Sequence, residues 1–293
     1  MTRILLVGKN GQIGWELFRT LGYIAVVVAP ERSELDVTNR QDVFRILEKV
    51  KPDIVINATG YNDVDGAEVY RADAVSVNVD ANSFMAAAAC RVNAFYLTYS
   101  TDYVFDGQKK IPYVENDPVN PLNVYGQTKR DGELTITKSG VNFLILRTSS
   151  VYSLRRPCFL SNFLRKAQHD TQIQVRSDLV SSPTSARYLA KITTEIISMG
   201  REKNFEWLSE KKGIYHLAGT GCASRFEWAQ AICEILKLDV EILPSTLSGP
   251  IPAANRPVYS ALDSSNFFDI FRLQSASWKE MLITTLDGFH EEK

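Results

Sequence analysis

At 293 residues the chain is long enough for one large domain or two smaller ones, and 45% hydrophobic residues supply a sizeable core. A net charge of -1 and a pI near 6.3 leave no basic stripe, which argues against nucleic acid as a partner. No apolar run approaches the roughly 18 residues that a membrane span needs, and a strand at Ile4 leaves no room for a signal peptide, so a cytoplasmic protein is expected.

Ile4-Leu5-Leu6-Val7 is a short, wholly apolar run that fits a buried parallel strand. Gly8-Lys9-Asn10-Gly11-Gln12-Ile13-Gly14 follows at once in a G-x-x-G-x-x-G spacing, and Trp15 to Leu21 reads as the start of a helix. Gly8, Gly11 and Gly14 allow a tight turn and a close approach of backbone amides to a pyrophosphate, which the helix N-terminus also favours. The strand before and the helix after lift the pattern from a mere turn to a dinucleotide site. A second strand, residues 24–29, ends at Pro30-Glu31-Arg32. Glu31 can accept hydrogen bonds from an adenosine ribose, which favours NADH, and Arg32 can pair with a 2′-phosphate, which admits NADPH. An ordinary solvated Glu-Arg turn is the alternative.

Val43, Phe44, Ile46, Leu47 and Val50 fall at helical spacing within residues 40–51, and Pro52 ends that helix. Strand 54–56 closes at Asn57-Ala58-Thr59-Gly60, which places residues 57–64 at the carboxyl edge of the sheet, beside cofactor or substrate. Residues 74–93 predict one long Ala-rich helix. Strand 95–99 runs into Ser100-Thr101-Asp102-Tyr103, where a hydroxyl can meet a substrate carbonyl or merely end a strand. The helix over 123–137 carries Tyr125 and Lys129 four apart, hence on one face. An ammonium beside a phenol lowers its pKa from about 10 and readies it to exchange a proton with a carbonyl or alcohol oxygen. Such a pair also occurs on solvated helix faces, but here it follows a glycine loop and a Ser-Thr strand end. Strand 143–147 completes a βαβ series, with right-handed crossovers and a mostly parallel sheet expected.

Beyond residue 150 the alternation loosens. The pattern predicts a helix over 161–169, a strand over 173–175, a helix opened by Pro183 and running to 199, and a strand over 213–218. Ser224 can cap a helix over 225–236, with Glu227 completing a capping box. The proline-rich run 243–257 reads as an extended loop. The expected division is a dinucleotide-binding domain over 1–150, rejoined by 176–218, with a smaller C-terminal substrate-binding lobe from 151–175 and 219–293. Cys90, Cys158, Cys222 and Cys233 lack C-x-x-C spacing and are expected to be reduced. His169, His216 and His290 are scattered and suggest no metal site.

The glycine loop, Ser100-Thr101 and Tyr125-x-x-x-Lys129, in this order, resemble the extended short-chain dehydrogenase/reductase superfamily. Tyr99-Ser100-Thr101-Asp102-Tyr103-Val104-Phe105-Asp106-Gly107, Pro121-Leu122-Asn123-Val124-Tyr125-Gly126, Arg256-Pro257 and Ser260-Ala261-Leu262-Asp263 resemble one branch of it, the dTDP-4-dehydrorhamnose reductase family. The resemblance runs over about residues 3–285. It implies an α/β fold with a Rossmann-type doubly wound parallel sheet and NADH or NADPH as cofactor. The implied reaction reduces the C4 ketone of a dTDP-4-keto-6-deoxy-L-hexose, ending in dTDP-L-rhamnose or a close relative, for nucleotide-sugar and cell-surface polysaccharide synthesis. By the same resemblance Tyr125 donates the proton, Lys129 lowers the Tyr125 pKa and holds the nicotinamide ribose, and Thr101 polarises the ketone. Cofactor contacts are carried over onto Gly8, Gly11, Gln12, Ile13, Gly14, Asp36, Val37, Ala58, Thr59 and Gly60. Substrate contacts fall on Asn62, Val64, Thr101, Asp102, Tyr103 and Ser150, with Arg256 suited to a diphosphate.

Three departures stand out. Ser150 follows Arg147-Thr148-Ser149 where the family has Trp, removing a flat apolar wall for the deoxysugar. Asn62 replaces a substrate-facing Thr, and Asp63 adds a charge. Some members dimerise through magnesium held by glutamates; Glu16 matches one ligand, but Arg187 stands at another, so a homodimer is kept among the expected partners and the metal is not. Two other functions remain open: a sugar-nucleotide epimerase or dehydratase using the same Tyr-Lys pair, and a non-catalytic NADP-binding regulatory subunit.

Overall fold

The computed structural model describes residues 1–203, 205–246 and 253–287. Its first half alternates strand and helix: β1 (Arg3–Val7), α1 (Gln12–Leu21), β2 (Val26–Val28), α2 (Arg40–Val50), β3 (Ile54–Asn57), α3 (Val64–Val69), α4 (Arg71–Val75), α5 (Ala81–Arg91), β4 (Phe95–Thr101), α6 (Val124–Thr137) and β5 (Phe143–Thr148). The second half runs β6 (Val151–Tyr152), α7 (Phe159–Ala167), β7 (Gln172–Arg176), β8 (Val180–Ser181), β9 (Thr184–Ser185), α8 (Ala186–Glu202), α9 (Glu206–Glu210) and β10 (Gly213–His216). It closes with β11 (Ala223–Ser224), α10 (Arg225–Leu236), β12 (Glu241–Ser245), α11 (Ser265–Phe271) and α12 (Trp278–Asp287).

Six strands pair in the order β10-β5-β4-β3-β1-β2, all parallel. The chain passes from β1 to β2 on one side and then crosses back past β1 to β3 on the other. The crevice outside the carboxyl ends of β1 and β3 is therefore the switch point at which doubly wound sheets take their ligands. Successive strand residues alternate between two covered faces, which is why the strands read as unbroken apolar runs. Ile4, Leu6, Ile54 and Ile56 pack under α1, α8 and α11, with Leu17, Ile196 and Phe271. Leu5, Val55 and Tyr96 pack under α2 and α5, with Leu47 and Met85. A third cluster joins Tyr152, Phe163, Ile173, Trp228 and Leu282, and so binds α7, α10 and α12 to the parallel pair β7–β12.

Several elements depart from the sequence reading. The single helix expected over 74–93 is three pieces, with a π-helical turn at Ser76–Asp80 between α4 and α5. That wider turn presents the Asn78 carbonyl to α6, where a Cβ on Gly132 would come within 2.2 Å of it. Pro183 does not open a helix: Thr184 and Ser185 first pair with Val151 and Tyr152, and α8 starts at Ala186. Backbone pairing overrides the preference of proline for a first turn here. The run expected as an extended loop begins as β12, with Pro244 in an edge position beside Val175, and its residues 247–252 lie outside the described residues. Among the described residues no helix is long and apolar enough to cross a membrane.

Candidate active site

The glycine turn is built by contact rather than by composition alone. Gly8 has φ +90, and a Cβ there would stand 2.8 Å from the Ala58 carbonyl carbon at the end of β3. A Cβ on Gly14 would stand 2.1 Å from the Gly8 carbonyl oxygen, so the first turn of α1 can seat against the loop only with glycine. Gly11, Gln12 and Ile13 then line a cavity of about 400 Å³. Across the switch point, buried Asn57 accepts from the Thr59 backbone N–H at 3.0 Å and from its hydroxyl at 2.6 Å. This pins Ala58 and Thr59 on the same cavity, with Asn62 and Val64 further along its wall. Gly60 does not line it; a Cβ there would meet the Asn62 side chain at 3.1 Å. Asp63 is not a free charge at the site: its Oδ1 accepts from the Gly66 backbone N–H at 2.9 Å and caps α3.

The residues expected around the adenosine ribose lie off this cavity, beyond β2. Glu31 pairs with Lys9 Nζ at 2.8 Å and accepts from Asn10 Nδ2 at 2.8 Å, and the Lys9 hydrogen bond holds its carboxyl below the usual range. Glu31 thus reaches the glycine turn from the neighbouring strand, while Arg32 is exposed. Asp36 accepts from the Thr38 N–H at 2.9 Å and hydroxyl at 2.7 Å, and Val37 packs against the helix-covered layer below. Glycines that a Cβ would block, a helix N-terminus that opens on the cavity and a carboxylate just after β2 fit a dinucleotide.

The chemistry-bearing groups enter from β4 and α6. Thr101, Asp102 and Tyr103 line the cavity at the end of β4, and Tyr125 and Lys129 line it from α6. Asn123 caps that helix by accepting from the Gly126 N–H at 2.8 Å. Gly126 in turn lets α6 approach the Tyr103 carbonyl, which a Cβ would meet at 2.2 Å. The rings of Tyr103 and Tyr125 meet edge to face, 5.9 Å between centroids.

The pKa shift expected at Tyr125 is reversed. Burial raises the phenol, against the pull of the Thr101 hydroxyl, and the Asp102 and Tyr103 charges raise it further. The Lys129 ammonium is engaged elsewhere: Nζ donates to the Tyr99 carbonyl at 2.7 Å. Burial lowers the Lys129 pKa to about 8, opposed by Glu133 one turn on. Glu133 itself is forked onto Arg147 of β5, with N–O distances of 2.9 and 2.7 Å, in a buried ion pair.

One further expectation is corrected. Arg256 does not line the cavity; its guanidinium is forked on Asp65 of α3 at 2.6 and 3.2 Å. Arg225, at the first position of α10, lines the cavity instead, and among the described residues no carboxylate lies within ion-pair distance of it. Burial lowers its pKa, Tyr103 opposes this, and the Arg256 and Arg176 charges act with burial. Nothing in the spacing singles Arg225 out, since it reads as an ordinary residue after a helix cap. Ser150, where the family has Trp, lines the cavity with φ 45 and its hydroxyl 2.7 Å from that of Ser181. Phe159 and Trp228, whose rings lie 4.7 Å apart, supply an aromatic wall to the same cavity from α7 and α10. Glu16, Arg19, Arg155 and Arg187 share a separate surface depression, where the Arg155 guanidinium stacks 3.5 Å above the Trp15 ring. Among the described residues no group of three or more His, Cys, Asp or Glu is placed to hold a metal ion.

Comparisons with known proteins agree with this architecture. The family described as the RmlD substrate binding domain matches residues 1–291. A protein of Burkholderia thailandensis named dTDP-4-dehydrorhamnose reductase is 36% identical over 285 residues, covering 94% of this chain and 95% of that protein. A crystal structure of a dTDP-4-dehydrorhamnose reductase from Clostridium acetobutylicum superposes with a TM-score of 0.91 at 31% identity, covering 99% of this chain and all of that one. The Bacillus anthracis enzyme of the same name, solved in complex with NADP, gives a TM-score of 0.90 at 29% identity, with 98% and 99% covered. Sheet order, glycine turn and matched length together make this chain a member of the RmlD family, the dTDP-4-dehydrorhamnose reductase branch of the extended short-chain dehydrogenase/reductases.

Proposed function

We propose that this chain reduces the C4 ketone of dTDP-4-dehydrorhamnose, or of a closely related dTDP-4-keto-6-deoxy-L-hexose, with NADPH or NADH. One observation carries the reading: Thr101 from the end of β4 and Tyr125 and Lys129 from α6 line one cavity together with the glycine turn. The reduced nicotinamide supplies the hydride. The C4 oxygen must then gain a proton, and a phenol whose pKa burial has raised holds that proton firmly until the oxygen becomes basic. Lys129, one turn from Tyr125 on the same helix and with a pKa of about 8, is the cation at hand for the phenolate left behind, its Nζ resting on the Tyr99 carbonyl and lining the same cavity. The same ammonium would hold the nicotinamide ribose.

Arg225 is the guanidinium suited to the sugar nucleotide diphosphate, since Arg256 is neutralised by Asp65. Phe159 and Trp228 offer an aromatic surface to the deoxysugar, which compensates for Ser150. A dehydratase would need a second acid beside Asp102, and the residue that follows it is Tyr103. A purely regulatory subunit has no need of the convergent Thr-Tyr-Lys set.

The test mixes enzyme, NADPH or NADH and dTDP-4-dehydrorhamnose and follows the loss of reduced-cofactor absorbance. Tyr125→Phe should lower kcat by roughly 10²–10⁴-fold. Equal rates for the wild type and Tyr125→Phe would sink the proposal.

A further inference from the structure

Thr101 cannot polarise a ketone in the arrangement it occupies. A hydroxyl has one hydrogen to donate and two lone pairs to accept with. The Thr101 hydroxyl donates to Asp102 Oδ1 at 3.1 Å and accepts from the Tyr103 backbone N–H at 3.2 Å. Asp102 and the Tyr125 phenol oxygen compete for its only hydrogen, and the direct hydrogen bond runs to the carboxylate. An ionised carboxylate is a stronger acceptor than a neutral ketone and would keep it there.

The other carboxyl oxygen is held differently. Asp102 Oδ2 accepts from Ser149 Oγ at 2.8 Å, after β5, and from Ser260 Oγ at 2.5 Å, in the segment before α11. Two donors on Oδ2 mark it as the acceptor oxygen and leave Oδ1 as the place for a proton. With a proton there, Oδ1 donates to Thr101, whose oxygen then accepts twice and whose own hydrogen turns to the cavity.

We propose that Asp102 is a positioning residue: its carboxyl, clamped by Ser149 and Ser260, sets the direction in which the Thr101 hydroxyl donates, and only its protonated form aims Thr101 at the substrate ketone. The inference rests on the ketone-reduction reading above. The proton on Asp102 is not transferred; hydride and the Tyr125 proton alone are added across the C=O bond.

Burial pushes the Asp102 carboxyl up to about 6, opposed by the Ser260, Ser149 and Thr101 hydroxyls in that order. The ionisable groups facing it are Tyr103 in its own turn and Tyr125 on α6. Ser149 and Ser260, from the other two elements packed on it, carry no charge, and no cation among the described residues shifts it. Both protonation states are thus populated near neutrality.

Asparagine copies the protonated carboxyl: its amide oxygen can take both serine hydroxyls while its NH₂ donates to Thr101. In the wild type, kcat should fall up to about tenfold per pH unit above roughly pH 6. Asp102→Asn should remove that limb and remain active from about pH 5.5 to 8. Ser260→Ala deletes the strongest hydrogen bond to the ionised form and should move the limb to higher pH. A readout independent of turnover is the ¹³C carboxyl resonance of Asp102 in the free protein, identified by its loss in Asp102→Asn. It should titrate near pH 6 and shift upward in Ser260→Ala.

An active wild type whose pH limb persists unchanged in Asp102→Asn overturns the proposal and leaves the reductase reading standing. So does a folded Asp102→Asn protein that is inactive at every pH, or a carboxyl resonance already fully ionised at pH 5. A wild type inert towards nucleotide-linked 4-ketohexoses overturns both.

Discussion

Tyr125 and Lys129 share a helix face, yet desolvation and backbone contacts set their protonation. The phenol is raised by burial and the ammonium is lowered by it, while Lys129 Nζ rests on the Tyr99 carbonyl. Asp102 follows the same logic with a consequence for stability. Its pKa rises from 3.8 to about 6, so the folded protein holds this proton more tightly than the unfolded chain does. The unfolded state binds fewer protons between these values, and stability linked to this group therefore falls as pH rises from about 4 to 6 and stays low above. Asp102→Asn removes that penalty and should stabilise by up to about 3 kcal/mol at pH 7–8. The gain should vanish as pH is lowered through 6 towards 4. Urea unfolding at several pH values measures it; a change of the same size at every pH would assign the effect to shape instead of charge.

α6 shows how a helix is held to the tolerance that a proton transfer demands. Asn123 caps it, Glu68 accepts from the Val124 N–H at 2.9 Å, and two glycines let it press against neighbouring backbone. Gly126 lies on the Tyr103 carbonyl and Gly132 on the Asn78 carbonyl of the π-helical turn. Gly132→Ala would put a methyl 2.2 Å from that carbonyl oxygen, a clash with backbone that no rotamer relieves. The variant should lose about 1–3 kcal/mol of stability, and its kcat should drop more than its KM for the ketosugar rises, because Tyr125 and Lys129 shift with the helix. Thermal unfolding and steady-state kinetics check both; unchanged kcat would show that the helix repacks without moving its catalytic face.

The cavity is closed by two parts of the chain that sequence order keeps apart. The sheet edge contributes the glycine turn, the β4 end and α6, and α7 and α10 contribute Phe159, Arg225 and Trp228. If Arg225 grips the diphosphate, Arg225→Ala should raise KM for the sugar nucleotide at least about tenfold, in line with about 1.5–3 kcal/mol for a charge-assisted hydrogen bond. KM for NADPH should change little, and a 4-ketohexose lacking the diphosphate should be reduced no more slowly than by the wild type. Equal losses for both sugars would assign Arg225 a packing role. Much of this was legible in the residues themselves. Apolar runs, the G-x-x-G-x-x-G turn, the Ser224–Glu227 capping box and the Tyr-x-x-x-Lys spacing are local patterns whose geometry follows from strand and helix periodicity. The π-helical turn, the pairing that delayed α8, the capture of Arg256 by Asp65 and the exposure of Arg225 to the cavity were not legible. Each depends on a partner tens to nearly two hundred residues away, and only folding brings those partners together. Local order in the chain thus determined the sheet and the reacting groups, whereas burial and long-range contact decided which charges remain free, which way a hydroxyl donates and what lines the far wall.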